Sequence, residues 1–474
     1  MKTVVCIKPT AEGDLAPFDA SAYEAALRIP GNTVSLLSLA PASRETLLRQ
    51  LTRLGAEQAF LLSDPVYAGS DTLATAYLLS QGVRRLQPDL ILCGRQSVDG
   101  DTGQVGPEIA ALCGFSLMTC VMGIVSCDEH SVVCVDREGR QKQLPLPALL
   151  TVERFCSLRL PSIRSKEGTV TVWDNGTLQA DPSRVGLSGS PTRVERTFEN
   201  TSDRRHCHHI TPALLEEVLQ SSLQKAPTPI SFAPSAERLE KVFCVGEGVR
   251  AIAESVGRQV ICLPLTDAED IANHILRGRP QAVLWGSDRK SKEISATVAA
   301  RLRLGLCADC TALETDGETL WMYRPAFSGS VTAKIRSRTL PQMATIRTPE
   351  ADGEDFVIGV GLGACPFFQT IRAYAQAHGA VLAASRAAVD GGFMPYAAQV
   401  GLTGRNIAPR VYLALGVSGA VHHIAGIKSA GTVIAVNRDP DAPIFAYADY
   451  GIVADIQTVF REKALSECFR GEDL

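Results

Sequence analysis

Short apolar runs and longer stretches of helical spacing alternate from the first residues onward. The pattern predicts strands over 3–7, 33–39, 59–62 and 89–93. Between them, helices are predicted over 20–29, 43–54 and 71–86. Strands that alternate with helices of this length imply a parallel sheet covered on both faces. The pattern changes after about Thr151. Residues 156–200 are rich in Pro, Ser, Gly and Arg with few helical periods, and they read as an extended arm. Residues 201–235 read as a connector with one helix over 212–224. A second α/β region spans 242–349, and a third runs from Phe356 to the end. The expected divisions are therefore 1–200, 201–235, 236–350 and 351–474.

There is an internal echo. Asp89-Leu90-Ile91-Leu92-Cys93-Gly94 is an apolar strand closed by glycine, followed by a helix and then Cys120. Gln281-Ala282-Val283-Leu284-Trp285-Gly286 repeats this, with Cys310 at nearly the same spacing. Two domains of related fold in one chain explain the repeat.

Composition narrows the classes. A chain of 474 residues exceeds one ordinary core, and 45% hydrophobic with 21% charged residues is the balance of a folded globular protein. The formal net charge is -4, and a basic cluster such as Lys334–Arg338 is short, which argues against nucleic acid as a partner. The first apolar run is too short for a signal peptide, and no run of about 18 apolar residues is present to span a bilayer. Fourteen cysteines scattered without a framework predict reduced thiols in a cytoplasmic protein.

The chemistry concentrates in the last third. A strand over 411–415 ends at Gly416, and Val417-Ser418-Gly419-Ala420 opens a helix carrying His422 and His423. A second strand over 432–436 follows, with Asn437 at its carboxyl end. Small residues at such a turn let a pyrophosphate approach backbone N–H groups, and Asn437 stands where a base or ribose is usually read. Many βαβ units of this kind bind nothing. Upstream stand Gly359-Val360-Gly361-Leu362-Gly363, then Ser385-Arg386, then Gln399-Val400-Gly401-Leu402-Thr403-Gly404.

Together with Ala442-Pro443-Ile444-Phe445 and Ala448-Asp449-Tyr450-Gly451, these pieces resemble the FAD domain of the electron transfer flavoprotein α subunit. Residues 283–311, Arg324-Pro325-Ala326-Phe327 and Pro341-Gln342-Met343-Ala344-Thr345 resemble that subunit's first domain. Residues 1 to about 195 resemble the β subunit, most strongly in Cys93-Gly94-Arg95-Gln96-Ser97-Val98-Asp99-Gly100-Asp101-Thr102 and Gln104-Val105-Gly106-Pro107. The resemblance implies an α/β fold of two related adenine-nucleotide-binding-type parallel-sheet domains plus a C-terminal FAD-binding Rossmann-like domain. It implies an electron carrier serving a flavin-dependent dehydrogenase, of acyl-CoA dehydrogenase type, and a further redox partner.

By the same resemblance, Ser385, Arg386, Val400, Gly401, Thr403, Ser418, Gly419, Ala420, His422, His423, Asn437 and Asp455 contact FAD. Thr403 would donate to flavin N5, the 418–420 turn would cradle the pyrophosphate, and Arg386 and His423 would bring positive charge to the ring. The cofactor itself supplies the redox chemistry. Two positions depart from the family: Val360 replaces its usual Arg, and His422 its usual Gln. Asp99, Asp101, Thr102, Gln104, Val105 and Gly106 resemble the loop for a second adenine nucleotide. This is AMP in ordinary members, and in electron-bifurcating members a second FAD that takes hydride from NADH. Ser63-Asp64 and the run 68–75 look more like the bifurcating group. Leu160, in Leu160-Pro161-Ser162-Ile163, resembles the anchor for the partner dehydrogenase.

Other classes remain open at this stage. The chain could be a nucleotide- or FAD-binding regulatory or scaffold protein without electron transfer, which the missing cation at Val360 favours. A nucleotide hydrolase would have to use Asp99 and Asp101. His206, Cys207, His208 and His209 lack zinc spacing, and Cys307 with Cys310 reads as structural, so no metal is expected.

Overall fold

The computed structural model describes residues 1–10, 13–97, 99–136, 139–199, 204–224, 237–326, 331–347, 354–401, 404–405 and 407–460. Thr403 and the last fourteen positions, with parts of the expected connector and of the boundary near 350, lie outside the described residues. The chain divides into two units. One comprises Met1–Phe198, Phe232–Phe327 and Thr332–Arg347; the other comprises Glu199–Ser231, Ser328–Val331 and Thr348–Leu474.

The first unit contains two parallel sheets. The larger has seven strands in the order Thr169–Trp173, Gln58–Leu62, Thr33–Leu39, Lys2–Cys6, Leu90–Gly94, Ala148–Val152 and Ser116–Val121. Every neighbouring pair in it is parallel. Its central strands are buried on both faces, as at Leu90–Cys93 and throughout Ala148–Val152, and so read as nearly continuous apolar runs. The helix Thr72–Leu86 shows how the local sequence sets the boundaries. Asp71 caps its start by accepting from the Ala74 N–H, and Gln87 closes it in the left-handed region.

The second sheet runs Gly257–Leu263, Leu239–Val245, Ala282–Gly286, Gln342–Ile346 and Leu306–Cys310. Its order repeats five strands of the larger sheet, so the echo seen in the sequence is one of fold. The equivalence is shifted by one residue, however. Both final strands are irregular against their neighbours, between Met118 and Val121 and between Cys307 and Cys310. Inside those irregularities Cys120 and Asp309 both have positive φ, and each backbone N–H donates to a threonine hydroxyl, Thr151 and Thr345. Cys120 therefore corresponds to Asp309 and not to Cys310.

Two expectations change on this scaffold. The stretch 156–200 is extended, but not as a free arm. Thr169–Trp173 pairs in parallel with Gln58–Leu62, where Trp173 packs on Phe60 with ring centroids 4.6 Å apart. Thr192–Glu199 then starts a four-stranded sheet with Val331–Ser337, Leu320–Ala326 and Ala312–Thr315. Nor are all thiols free. Cys244 and Cys262 face each other on adjacent strands and form a disulfide, and no other described cysteine is in one.

The second unit is a six-stranded parallel sheet in the order His208–His209, Tyr450–Val453, Thr432–Asn437, Val411–Leu415, Phe356–Val360 and Val381–Ala384. The described part of the expected connector belongs inside this unit. His208–His209 forms the sheet edge, and Leu215 and Leu219 of the helix Leu215–Gln224 enter the core beside Phe356, Ile358 and Leu413. The apolar face of that helix, placed by Leu215 and Leu219, is what makes it structural. Among the described residues no helix is long and apolar enough to cross a membrane.

Candidate functional site

In the second unit the chain reverses its strand order between Phe356–Val360 and Val411–Leu415. The crevice at the carboxyl ends of such a pair is where open parallel sheets take ligands. Gly361 and Gly416 close those two strands so tightly that a Cβ on Gly361 would collide with the Gly416 carbonyl. Beyond them, Val417 to Ala420 form the turn before the short helix Val421–Ile424. Gly419 has φ +88°, and a Cβ there would strike the backbone of Ile444. The Ile444 N–H donates to the Ser418 carbonyl at 3.1 Å and pins the turn. Among the described residues no acceptor takes the N–H groups of Val417, Ser418, Gly419 or Ala420. A run of unclaimed backbone donors is a ready anion cradle.

The remaining residues gather around this turn. Ser385 caps the helix Arg386–Asp390 by accepting from the Ala388 N–H, and Arg386 lies 3.4 Å from Asp390, with 42% of its side chain exposed. Val400 is buried, and Gly401 passes so close to the 422–423 backbone that a Cβ would stand 2.7 Å from the His422 carbonyl. His422 is exposed, and burial of part of its ring, then the Arg386 charge, lower its pKa. His423 is buried, and burial pulls it down to about 4, against a smaller opposing effect from the Val400 carbonyl. The expected positive charge at His423 is therefore absent near neutral pH, and Arg386 is the permanent cation of the group. Asn437 also differs from its expected role. Its amide donates to the Val417 carbonyl at 2.9 Å and accepts from the Asp439 N–H at 3.0 Å, so it supports the turn. Asp455 is exposed at the neighbouring strand end and accepts from the Gln457 N–H. Val360 is fully buried among Ile358, Leu413 and Leu415, so the cation usual there is replaced by core packing.

These residues fit FAD. The free N–H groups of 417–420 suit a pyrophosphate, and His423 leaves Nδ1 as a buried polar atom with no hydrogen bond.

The first unit contains a cavity of about 860 Å³ at the carboxyl ends of its larger sheet. Cys6, Ala40, Leu62 and Gly94 form its floor, and Ser70 to Thr72 bring the start of the helix Thr72–Leu86 to its wall. Thr102, Gln104, Val105 and Gly106 line it, and so do Ser63, Asp64 and most of the run 68–75. Asp99 and Asp101 do not line it. Asp99 turns to Lys8, with Nζ at 2.6 Å, and burial of its carboxylate is outweighed by that partner, which holds its pKa low. Asp101 has positive φ and accepts from the Gln96 amide at 3.2 Å. Gln104 is spent on Thr72 and on the Leu306 carbonyl.

Sequence reasoning missed Asp19. It is buried and accepts from the N–H groups of Lys8 and Gly94, at 2.8 and 3.1 Å, joining two strand ends at the cavity wall. Burial raises its carboxyl to about 7 although both donors oppose the shift. The one available signal was Gly94, where a Cβ would collide with the Asp19 carboxylate.

Leu160 is 89% exposed and Ile163 fully so. The base of their loop is held by Arg159, which forms a two-pronged contact with Glu24 at 2.9 and 3.1 Å. Burial of that carboxylate opposes ionisation, but Arg159 and Arg28 bring it down to about 2. Cys307 and Cys310 are both buried. His206 and His208 bring their rings to 5.0 Å, yet no group of three or more metal-ligating side chains gathers among the described residues.

Comparison with known proteins gives the same outline. The family described as "Electron transfer flavoprotein domain" matches residues 3–177 and 248–353, and "Electron transfer flavoprotein FAD-binding domain" matches 352–428. The electron transfer flavoprotein subunit beta of Megasphaera elsdenii is 39% identical over 200 residues, which is 38% of this chain and 74% of that protein. The subunit alpha of Thermoanaerobacterium thermosaccharolyticum is 35% identical over 224 residues, covering 38% of this chain and 68% of the relative. The caffeyl-CoA reductase-Etf complex subunit CarD of Acetobacterium woodii is 35% identical over 209 residues, 42% of this chain and 80% of that subunit.

Proposed function

The chain belongs to the electron transfer flavoprotein family, with β-like and α-like parts fused, and from that premise we propose that it is an electron-bifurcating member. As an electron transfer flavoprotein it is a redox carrier that uses FAD. In the proposed reading the first unit's cavity, lined by Ser63, Asp64, Thr102, Gln104, Val105 and Gly106, would hold a second FAD, which would supply the hydride chemistry with NADH. Electrons then divide between a flavin-dependent dehydrogenase of acyl-CoA dehydrogenase type and another redox partner.

The cavity carries this reading. At about 860 Å³ it is near the upper end of the roughly 300–1,000 Å³ usual for ligand pockets. A dinucleotide has more than twice the heavy atoms of AMP, and AMP would leave much of that space to water. Similarity to a subunit named for a caffeyl-CoA reductase complex supports the choice of partner class. The exposed Leu160 and Ile163, on a loop whose base is fixed by Arg159, suit a transient apolar anchor.

Within the second unit, the N–H groups of 417–420 would hold the pyrophosphate, Asn437 keeps that turn in shape, and Arg386 supplies the lasting positive charge. His423 enters as a neutral ring. Bound FAD supplies the electron transfer itself.

Flavin stoichiometry tests the proposal. The protein, denatured after purification with FAD supplied, should release two FAD per chain and no AMP, and NADH should bleach part of its absorbance. One FAD with one AMP would reduce the chain to a plain carrier. A second reading, a flavin-binding scaffold without electron transfer, is favoured by the buried Val360. It predicts reduction by dithionite with no reoxidation by any partner.

A further inference from the structure

The second unit holds a buried polar pair that no contact described above uses. Tyr412 lies within the strand Val411–Leu415, fully buried, and its hydroxyl is 2.8 Å from Nε2 of His423. His423 is itself only 6% exposed. The neighbouring strand makes room for the phenol at Gly359, where any Cβ would collide with the hydroxyl. Among the described residues no other group hydrogen-bonds that hydroxyl.

We propose that Tyr412 is a positioning residue that sets the tautomer of His423, donating to Nε2 and so keeping the ring proton on Nδ1, the nitrogen left for the cofactor. The argument is one of satisfying buried groups. A neutral imidazole has one N–H and one lone pair, and the partner of one nitrogen decides the state of the other. Burial keeps the phenol protonated. Were Tyr412 the acceptor, its own O–H would be buried with no acceptor, at the cost of an unmade hydrogen bond. With Tyr412 as donor its hydroxyl is satisfied, and the Nδ1–H, which has no hydrogen-bond partner among the described residues, is left open to the cofactor. Arg386 acts on His422, and among the described residues no charged group perturbs His423.

The inference rests on the crevice being the FAD site, and the experiment separates the two. Full-length protein labelled with 15N-histidine is observed without and with FAD, and the His423 signals are assigned by their loss in His423→Gln. In the wild type, without cofactor, the pattern should be that of an Nδ1–H tautomer. In Tyr412→Phe, which keeps the ring volume, the tautomers should mix, and the titration should move upward from about 4 because the neutral form has lost its donor. Bound FAD should then show a shifted absorbance maximum and midpoint potential, with affinity lower by roughly fivefold, the size of one neutral hydrogen bond. An Nε2–H tautomer in the wild type overturns the proposal whether or not the variant folds. So does a Tyr412→Phe protein whose tautomer and titration are unchanged. Failure of the wild type to take up FAD, with the Nδ1–H pattern present, would instead overturn the reading of the crevice.

Discussion

His423 illustrates how far a residue's identity and its chemical state can diverge. Its place beside the turn of Ser418 to Ala420 was legible in the motif, but its charge was not. Charge depends on burial, and burial depends on Val400 and Tyr412, which are distant in sequence. The same limit applies to Asp99 and Asp101, whose side chains are claimed by Lys8 and Gln96. A consequence follows for pH. In the unfolded chain His423 takes a proton near the ordinary 6.5, and in the folded chain only near about 4. The unfolded state binds more protons in that window, so stability is full above it and falls as pH drops through it. For the FAD-free protein the loss between pH 7 and 4 should be about 3 kcal/mol from this group. Urea unfolding of the wild type and of His423→Gln at several pH values checks this, the difference between the two being the share of this group.

At the level of elements, the pattern located the first four strands and three helices to within a few residues, because each is a continuous apolar run or a full amphipathic face. It did not reveal that Thr169–Trp173 and His208–His209 are strands of sheets. Their partners, Gln58–Leu62 and Tyr450–Val453, are far along the chain, and strand pairing over such distances leaves little local trace. The segment between the β-like and α-like halves is the clearest instance. Arg205 donates to the Ala430 carbonyl and pairs with Asp449, while Leu219 is fully buried. Leu219→Ala should destabilise the second unit by about 3.5 kcal/mol, the middle of the range for a buried leucine. Leu214→Ala, at a half-exposed position, should stay within about 0.5 kcal/mol. Release of bound FAD during urea unfolding distinguishes the two.

For the molecule as a whole, the proposed carrier role would place its demands on an exposed loop. Leu160 lies on the surface of the first unit, and its removal leaves every core cluster intact. Leu160→Ala should lower affinity for the partner dehydrogenase by at least tenfold, as expected for an interface anchor. Flavin content and absorbance should be unchanged. Steady-state electron transfer at varied dehydrogenase concentration measures this, and an unchanged half-saturation would remove Leu160 from the interface. The two units are also interleaved along the chain, since one part of the second is made before the second sheet of the first. During synthesis, His208–His209 leaves the ribosome roughly 240 residues ahead of Tyr450–Val453, its one strand partner among the described residues. At about 5–20 residues per second the nascent edge waits some tens of seconds for its mate. The flavin compartment is thus begun early and closed last, and a ribosome stalled anywhere in between leaves it open.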